Sequence, residues 1–240
     1  MNLVIDQGNT LIKFGIFDND TLAYANTMNF FDENAIASAI NQYHIERSLF
    51  SSVKLDAEQS YLKLKKIFPN ILHFTKHTEL PFINKYETPE TIGKDRLAAV
   101  AGAISMFPNT PVLVIDCGTA LTFEFINGKG EYMGGNISPG INLRYRSLHE
   151  FTSKLPLLNK NDHFSFIGKS TNEAIISGVQ NSIIFEIDEY IERYNIQFEQ
   201  SRAIITGGDA EFFAGKLKNP IFVDLNLVHK GLNRILKHNA

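Results

Sequence analysis

Apolar residues fall in short runs broken by Asp, Gly and polar turns, and the two clearest runs repeat each other. Leu3-Val4-Ile5-Asp6-Gln7-Gly8-Asn9-Thr10 opens the chain, and Leu113-Val114-Ile115-Asp116-Cys117-Gly118-Thr119-Ala120 returns to nearly the same wording. Leu3/Leu113, Val4/Val114, Ile5/Ile115, Asp6/Asp116, Gly8/Gly118 and Leu11/Leu121 recur at one constant offset. In each copy an apolar run ends in Asp, crosses a Gly turn and resumes, from Ile12 to Phe17 or from Leu121 to Ile126. This predicts two β-hairpins with a carboxylate at each bend. A tight turn whose Asp satisfies backbone amides would leave the same trace in one copy. Self-similarity over a long period is not expected of turn chemistry alone, so a duplicated architecture is predicted.

Elsewhere the spacing of apolar residues predicts helices over 32–43, 58–68, 95–107, 141–152, 172–194 and 227–237. Further strands are expected over 21–28, 49–53, 203–206 and 221–224. The stretch 73–93, punctuated by Pro81 and Pro89, reads as irregular. Met133-Gly134-Gly135-Asn136-Ile137-Ser138-Pro139-Gly140 is a dense set of turn formers and reads as a loop. Ser170 with Glu173 fits a capping box at the start of the longest helix.

Length and composition bound the rest. A chain of 240 residues can bury a substantial core, and the duplication favours two halves, 1–108 and 109–240, divided near Pro108 to Pro111. With 44% hydrophobic and 20% charged residues the chain is ordinary for a globular protein, and a formal charge of −3 supplies no basic field for nucleic acid or an anionic membrane. Lys63, Lys65 and Lys66 read as the solvated face of one helix, without the interleaved aromatics on which bases would stack. His73 and His77 read as two surface histidines rather than metal ligands. Cys117 is the only cysteine and reads as a small turn residue in a reducing compartment. The chain enters a strand at once and has no apolar stretch of about 18 residues, so a cytoplasmic protein without a membrane span is expected.

The bends carry the candidate chemistry. Glycine lets backbone amides approach a phosphate, and an Asp beside it can hold a cation or its coordinated water. Two such loops facing one another would grip a nucleotide polyphosphate and its Mg²⁺. Asp95 falls in or just before a helix's first turn, where the dipole keeps a carboxylate ionised; from the helix alone, simple N-capping with Arg96 as a surface ion-pair partner is the favoured account. Thr171 is a helix-start residue whose hydroxyl is placed to meet an anion. Gly207-Gly208 could leave a flat surface for an adenine.

Taken together, DxGNTxxK at Asp6 to Lys13, GKDR at Gly93 to Arg96, DCGTAxT at Asp116 to Thr122 and TGGDA at Thr206 to Ala210 resemble the type III pantothenate kinase family, as does the GGNISPG loop. That family lies in the acetate and sugar kinase/Hsc70/actin superfamily. The resemblance runs from residue 3 to about residue 210 with the motifs in family order. Lys94 and Asn136 depart from it, each standing where the family usually has a small residue.

The resemblance implies an α/β fold of two ribonuclease-H-like, actin-like ATPase halves, each a mixed sheet flanked by helices, with a nucleotide cleft between them. It implies transfer of phosphate from ATP to pantothenate, the first step toward coenzyme A, by a cytoplasmic homodimer. Carried over by position, Asp6, Gln7, Gly8, Asn9, Thr10, Leu11, Ile12, Lys13 and Thr119 would contact ATP, with Asp6 near Mg²⁺. Asp116 would hold a monovalent cation, K⁺ or NH₄⁺. Tyr86, Gly93, Lys94, Asp95, Arg96 and Thr171 would meet pantothenate, with Asp95 as general base. Arg144 and Arg146 are given a possible interface role. A kinase for another small alcohol, or a non-catalytic nucleotide-binding transcriptional accessory protein, would keep the same fold.

Overall fold

A computed structural model describes all 240 residues. In chain order the elements are β1 (Asn2–Gln7), β2 (Ile12–Asp18), β3 (Thr21–Met28), α1 (Glu33–Ala39), β4 (Arg47–Ser52), α2 (Ala57–Ile67), β5 (Ile71–His73), β6 (Ile83–Asn84) and α3 (Lys94–Met106). They continue with β7 (Val112–Cys117), β8 (Ala120–Ile126), β9 (Glu131–Pro139), α4 (Ile141–Glu150), α5 (Thr171–Gln197), β10 (Arg202–Thr206), α6 (Ala210–Ala214), β11 (Phe222–Val223) and α7 (Leu227–His238). Two compact units form: Met1–Pro108 with Gly130–Tyr132 and Asn226–Ala240, and Asn109–Lys129 with Met133–Leu225.

In the first unit the strands run in the order β3-β2-β1-β4-β5. The hairpin strands β1, β2 and β3 pair antiparallel, whereas β1, β4 and β5 are parallel neighbours, so the sheet is mixed. Parallel neighbours need a crossover, which α1 and α2 provide. Leu3, Ile5, Phe14, Ile16 and Phe50 bury one sheet face against Ile36 and Ile40 near α1 and Leu64 of α2. On α1, Asp32 caps the helix by accepting from the amides of Asn34 and Ala35, both at 3.0 Å. The helix stops at Ala39, short of the expected Tyr43, because Ile40 leaves helical geometry.

The closing helix α7 packs on α3 and on β1 within this unit. A Cβ at Gly231 would lie 1.7 Å from the Ala98 carbonyl, so α7 crosses α3 backbone against backbone. No other residue type permits that approach. The tie extends to the N-terminal strand, where Asn233 accepts from Asn2 at 2.8 Å and donates to the Asn19 carbonyl at 2.8 Å.

The second sheet repeats the plan, with β7 antiparallel to β8 and parallel to β10, β10 parallel to β11, and the order β11-β10-β7-β8-β9-β6, in which β6 joins β9 in parallel at Glu131 and Tyr132. Its core joins Leu113, Ile115 and Phe123 to Ile175, Val179, Ile183 and Ile187 on α5, with Tyr145 and Phe213. Tyr194 bridges the Val112 and Ile126 carbonyls, and burial pushes its phenol well above the usual range.

Two expectations fail. The GGNISPG run is not a loop: β9 carries strand geometry to Pro139, with Gly134 at φ +130°. Sheet pairing overrides turn propensity there. His73 is half-buried rather than freely exposed. It stacks on Tyr61 at 4.4 Å, lies 3.7 Å from Glu58, and its imidazole is held below the usual value by burial and then by the Lys94 ammonium.

Candidate active site

The first bend follows from its register. Asp6 pairs with Lys13 and Gln7 with Ile12, leaving four residues, Gly8 to Leu11, to turn the chain, closed by the Gly8 amide donating to the Leu11 carbonyl at 3.0 Å. Asp6 and Gln7 are buried while Asn9 and Thr10 are exposed, so the bend offers its tip to solvent and keeps its base in the sheet. Gln7 is 2% exposed and its Oε1 has no hydrogen-bond partner. Leaving a buried carbonyl oxygen unmatched is costly, and the end of β1 therefore has a polar atom with capacity for a further partner.

The start of α3 is brought to this same end of the sheet. Lys94 donates its ammonium to the Ser52 carbonyl at 3.2 Å, Ser52 is the register partner of Gln7, and the Val53 amide donates to the Gln7 carbonyl. Burial lowers the Lys94 pKa, and its one hydrogen bond goes to a neutral acceptor. Asp95, next along, accepts from the Arg96 amide at 2.8 Å in the first turn. A Cβ on Gly93 would stand 2.5 Å from the Asp95 Oδ1, so the glycine leaves room for that carboxylate.

Arg96 is buried and reaches the Tyr132 hydroxyl at 3.0 Å, with its guanidinium 5.8 Å from the Tyr86 ring centre. The first unit therefore gathers the Asp6 to Lys13 bend, Tyr86 and the Gly93 to Arg96 turn. Tyr132 was not among the expected residues. Nothing in its local sequence signals a partner so far away in the chain; only the preceding hairpin with the paired glycines after it hinted that this segment approaches something.

In the second unit the bend at Asp116 is one residue shorter. Asp116 pairs with Thr122 and Cys117 with Leu121, so Leu121 is the structural counterpart of Ile12, and the constant offset that aligned it with Leu11 slips at the turn. The bend is backed by the TGGDA segment: a Cβ on Gly207, which has φ +96°, would lie 2.4 Å from the Asp116 Oδ1, and the Asp209 amide donates to the Cys117 carbonyl at 3.0 Å. Asp209 also pairs with Lys160 at 2.6 Å. Thr119, at the tip, is exposed, and its carbonyl accepts from the Gly140 amide at 3.2 Å. Cys117 is 2% exposed, and burial followed by the charge of Asp116 raises its thiol well above its usual value, so it is no nucleophile at neutral pH.

Thr171 is set apart from this bend. As the first residue of α5, behind the Ser170 cap, it lines a cavity of about 620 Å³ with Arg144, Ser147, Leu148 and Ile175. The expected capping box is altered: Ser170 accepts from the Glu173 amide at 3.3 Å, but Glu173 reaches back to the Lys169 amide at 2.7 Å. Arg144 is engaged within its own chain, by Glu186, Ser138, Ser182 and the Pro139 carbonyl.

No group of three or more His, Cys, Asp or Glu is placed to hold a metal. The single carboxylates at the two bends fit hard cations that complete their shells with phosphate oxygens, carbonyls or water, which is how Mg²⁺ is commonly held.

A family model described as type III pantothenate kinase matches residues 2–193. The type III pantothenate kinase of Bacteroides fragilis (strain YCH46) is 41% identical over 244 aligned positions, covering 100% of this chain and 98% of its own. That of Cytophaga hutchinsonii is 42% identical over 243 positions, covering 100% of each. Among solved structures, one named for the Baf family of transcriptional activators, from Campylobacter jejuni, aligns with TM-score 0.66 at 22% identity over 99% of this chain and 98% of that one. An activator of 2-hydroxyisocaproyl-CoA dehydratase from Clostridium difficile, with bound ADPNP, aligns with TM-score 0.54 at 11% identity over 99% and 93%. These structures speak to the fold alone, and with the two mixed sheets flanked by helices they place the chain among the actin-like ATPase folds. The match along most of its length and the full-length relatives together show that the chain belongs to the type III pantothenate kinase family.

Proposed function

We propose that the protein transfers the γ-phosphoryl group of ATP to the terminal hydroxyl of pantothenate, giving 4'-phosphopantothenate for coenzyme A synthesis. The observation that carries this reading is the tie from Lys94 to Ser52, which sets the Asp95 turn at the strand end bearing Asp6 and Gln7. An alcohol acceptor and the phosphate loop then meet the same edge of one sheet.

Asp95 is assigned the general base. An aliphatic hydroxyl is a weak nucleophile, and a carboxylate within hydrogen-bond reach orients it and takes its proton as the new bond to phosphorus forms. Arg96 is assigned to the pantothenate carboxylate, whose two oxygens suit a planar guanidinium fork, with Tyr86 beside it. Gly93 and Lys94 complete the acceptor segment, and Thr171 is the further pantothenate contact. The bend from Asp6 through Gln7, Gly8, Asn9, Thr10, Leu11 and Ile12 to Lys13 is assigned to the ATP phosphates, through its amides and its polar side chains while Ile12 anchors it in the core, with Thr119 a further ATP contact. Mg²⁺ at Asp6 and K⁺ or NH₄⁺ at Asp116 would neutralise charge on the phosphates. The division into halves 1–108 and 109–240, where the second copy of the pattern starts, is part of this proposal.

A homodimer in the cytoplasm completes the reading. Phe151, Phe166 and Ile167 are 85%, 75% and 69% exposed in the stretch leading to Thr171, an apolar surface that a second copy would cover. No helix is long and apolar enough to cross a membrane.

The test is phosphate transfer from ATP to pantothenate, with sugars as competing acceptors, run in K⁺ and in Na⁺ at fixed ionic strength. Asp95→Asn is expected to lose roughly 10²-fold or more in kcat while still folding and binding ATP. Unchanged turnover in that variant would leave Asp95 a first-turn residue that accepts the Arg96 amide, and phosphorylation of sugars but not pantothenate would overturn the acceptor assignment.

A further inference from the structure

A group that holds the Arg96 guanidinium comes from a distant strand. Tyr132 has no exposed surface, and every part of it is engaged. Its hydroxyl accepts from the Arg96 Nη2 at 3.0 Å. Its ring lies parallel to Tyr86, with centres 6.1 Å apart and planes 5° from one another, and Phe82 meets it edge-on at 6.4 Å. Its carbonyl accepts from the Lys85 amide at 2.9 Å, while the register pairs it with Asn84, whose Oδ1 accepts from the Tyr86 amide at 3.0 Å. One residue thus holds the strand segment that presents Tyr86, the Tyr86 ring and the Arg96 head group.

We propose that Tyr132 is the positioning residue for the acceptor's carboxylate: it does not touch pantothenate but sets the plane and direction of the Arg96 fork. This rests on the assignment of Arg96 to that carboxylate. A bidentate pair forms only when the guanidinium plane meets the carboxylate plane. A guanidinium free to swivel must be ordered when substrate binds, at a cost to affinity; one already held by a phenol oxygen and an aromatic face is not. The arrangement also explains a tyrosine in a wholly buried place: its hydroxyl needs a partner there, and a charged donor is a strong one. Because the effect is on ordering the acid end, it belongs to binding of the acceptor and not to the phosphoryl transfer at the other end of the molecule.

The decisive variant is Tyr132→Phe, which keeps the ring, the stack on Tyr86 and the strand pairing and removes the hydroxyl alone. The KM for pantothenate is expected to rise on the order of tenfold, with kcat within about twofold and the KM for ATP unchanged. The same change made on an Arg96→Lys background should cost much less, since the group it positions is gone. A merely structural role would lower kcat and both affinities together, with the same penalty in either background, and that result would overturn the proposal, as would an unchanged pantothenate KM. Independently of turnover, the Arg96 Nη protons of the wild-type protein should show slow guanidinium rotation by NMR; fast rotation would also overturn it. If the wild-type protein shows slow rotation but neither binds nor phosphorylates pantothenate, the failure lies in the function assigned above and takes this role with it.

Discussion

The two bends share one design but differ in their details. Both place Asp next to last in a central strand, both end that strand in a nearly inaccessible residue, and in both sheets the strand has its hairpin partner on one side and a parallel neighbour on the other. The residues after the Asp differ: Gln7, polar with an unmatched oxygen, against Cys117, packed into the apolar core of its unit. The first turn is a residue longer, has Lys13 across from its Asp and leaves Asn9 and Thr10 open; the second has Thr122 across from its Asp and is braced from behind by Gly207. An open tip with a lysine suits an anionic chain of phosphates, and a braced carboxylate without a paired lysine suits a cation held for its charge. The two bends share one frame, and they differ in turn length and in what backs the Asp, which is the difference on which the proposed division of labour rests.

The largest effect that would break this comparison is expected from the two carboxylates. Asp6→Asn should reduce kcat roughly 10²-fold in any salt, whereas Asp116→Asn should leave an enzyme whose rate no longer distinguishes K⁺ from Na⁺. Equal behaviour of the two variants in a cation-exchange assay would mean that the bends are not specialised. A middle-sized effect is expected at Gly207, where alanine would crowd the Asp116 carboxylate and strain the backbone: the K⁺ concentration for half-maximal rate should rise about tenfold, with ATP affinity retained.

The smallest effects concern the residues after each Asp. Gln7→Met removes a buried carbonyl oxygen that lacks a partner and should stabilise the fold by about 1 kcal/mol while weakening ATP binding severalfold, read by thermal melts and the KM for ATP. Cys117→Ala should do the reverse, costing about 1 kcal/mol through a small cavity with kinetics unchanged. A stabilised Gln7 variant with full ATP affinity would remove the functional reason for that glutamine.

Much of this was legible in the chain. The alternating and helical spacings located the hairpins, α3 and the long α5 to within a few residues, because those elements bury one face each and the pattern follows from the burial. The repeated Asp-x-Gly announced the duplicated sheets. Where local chemistry and tertiary pairing disagreed, the sequence misled: the glycines of 134–135 and Pro139 look like a turn, yet neighbouring strands draw them into β9. His73 looked like a surface residue until the stack with Tyr61 closed over it.

By itself, then, the sequence determined the two acidic bends, their duplication and the place of Asp95 at a helix start, since these are local patterns of period, turn and charge; the class of fold and the role of Asp95 as base were implied by the resemblance to a known family. Only the tertiary structure decided that the last helix belongs with the first unit, that the second bend is a residue shorter, and that Tyr132 reaches Arg96. These are meetings of residues far apart in the chain, governed by backbone approach at Gly231, by register and by the partner a buried charge requires. No local pattern encodes them.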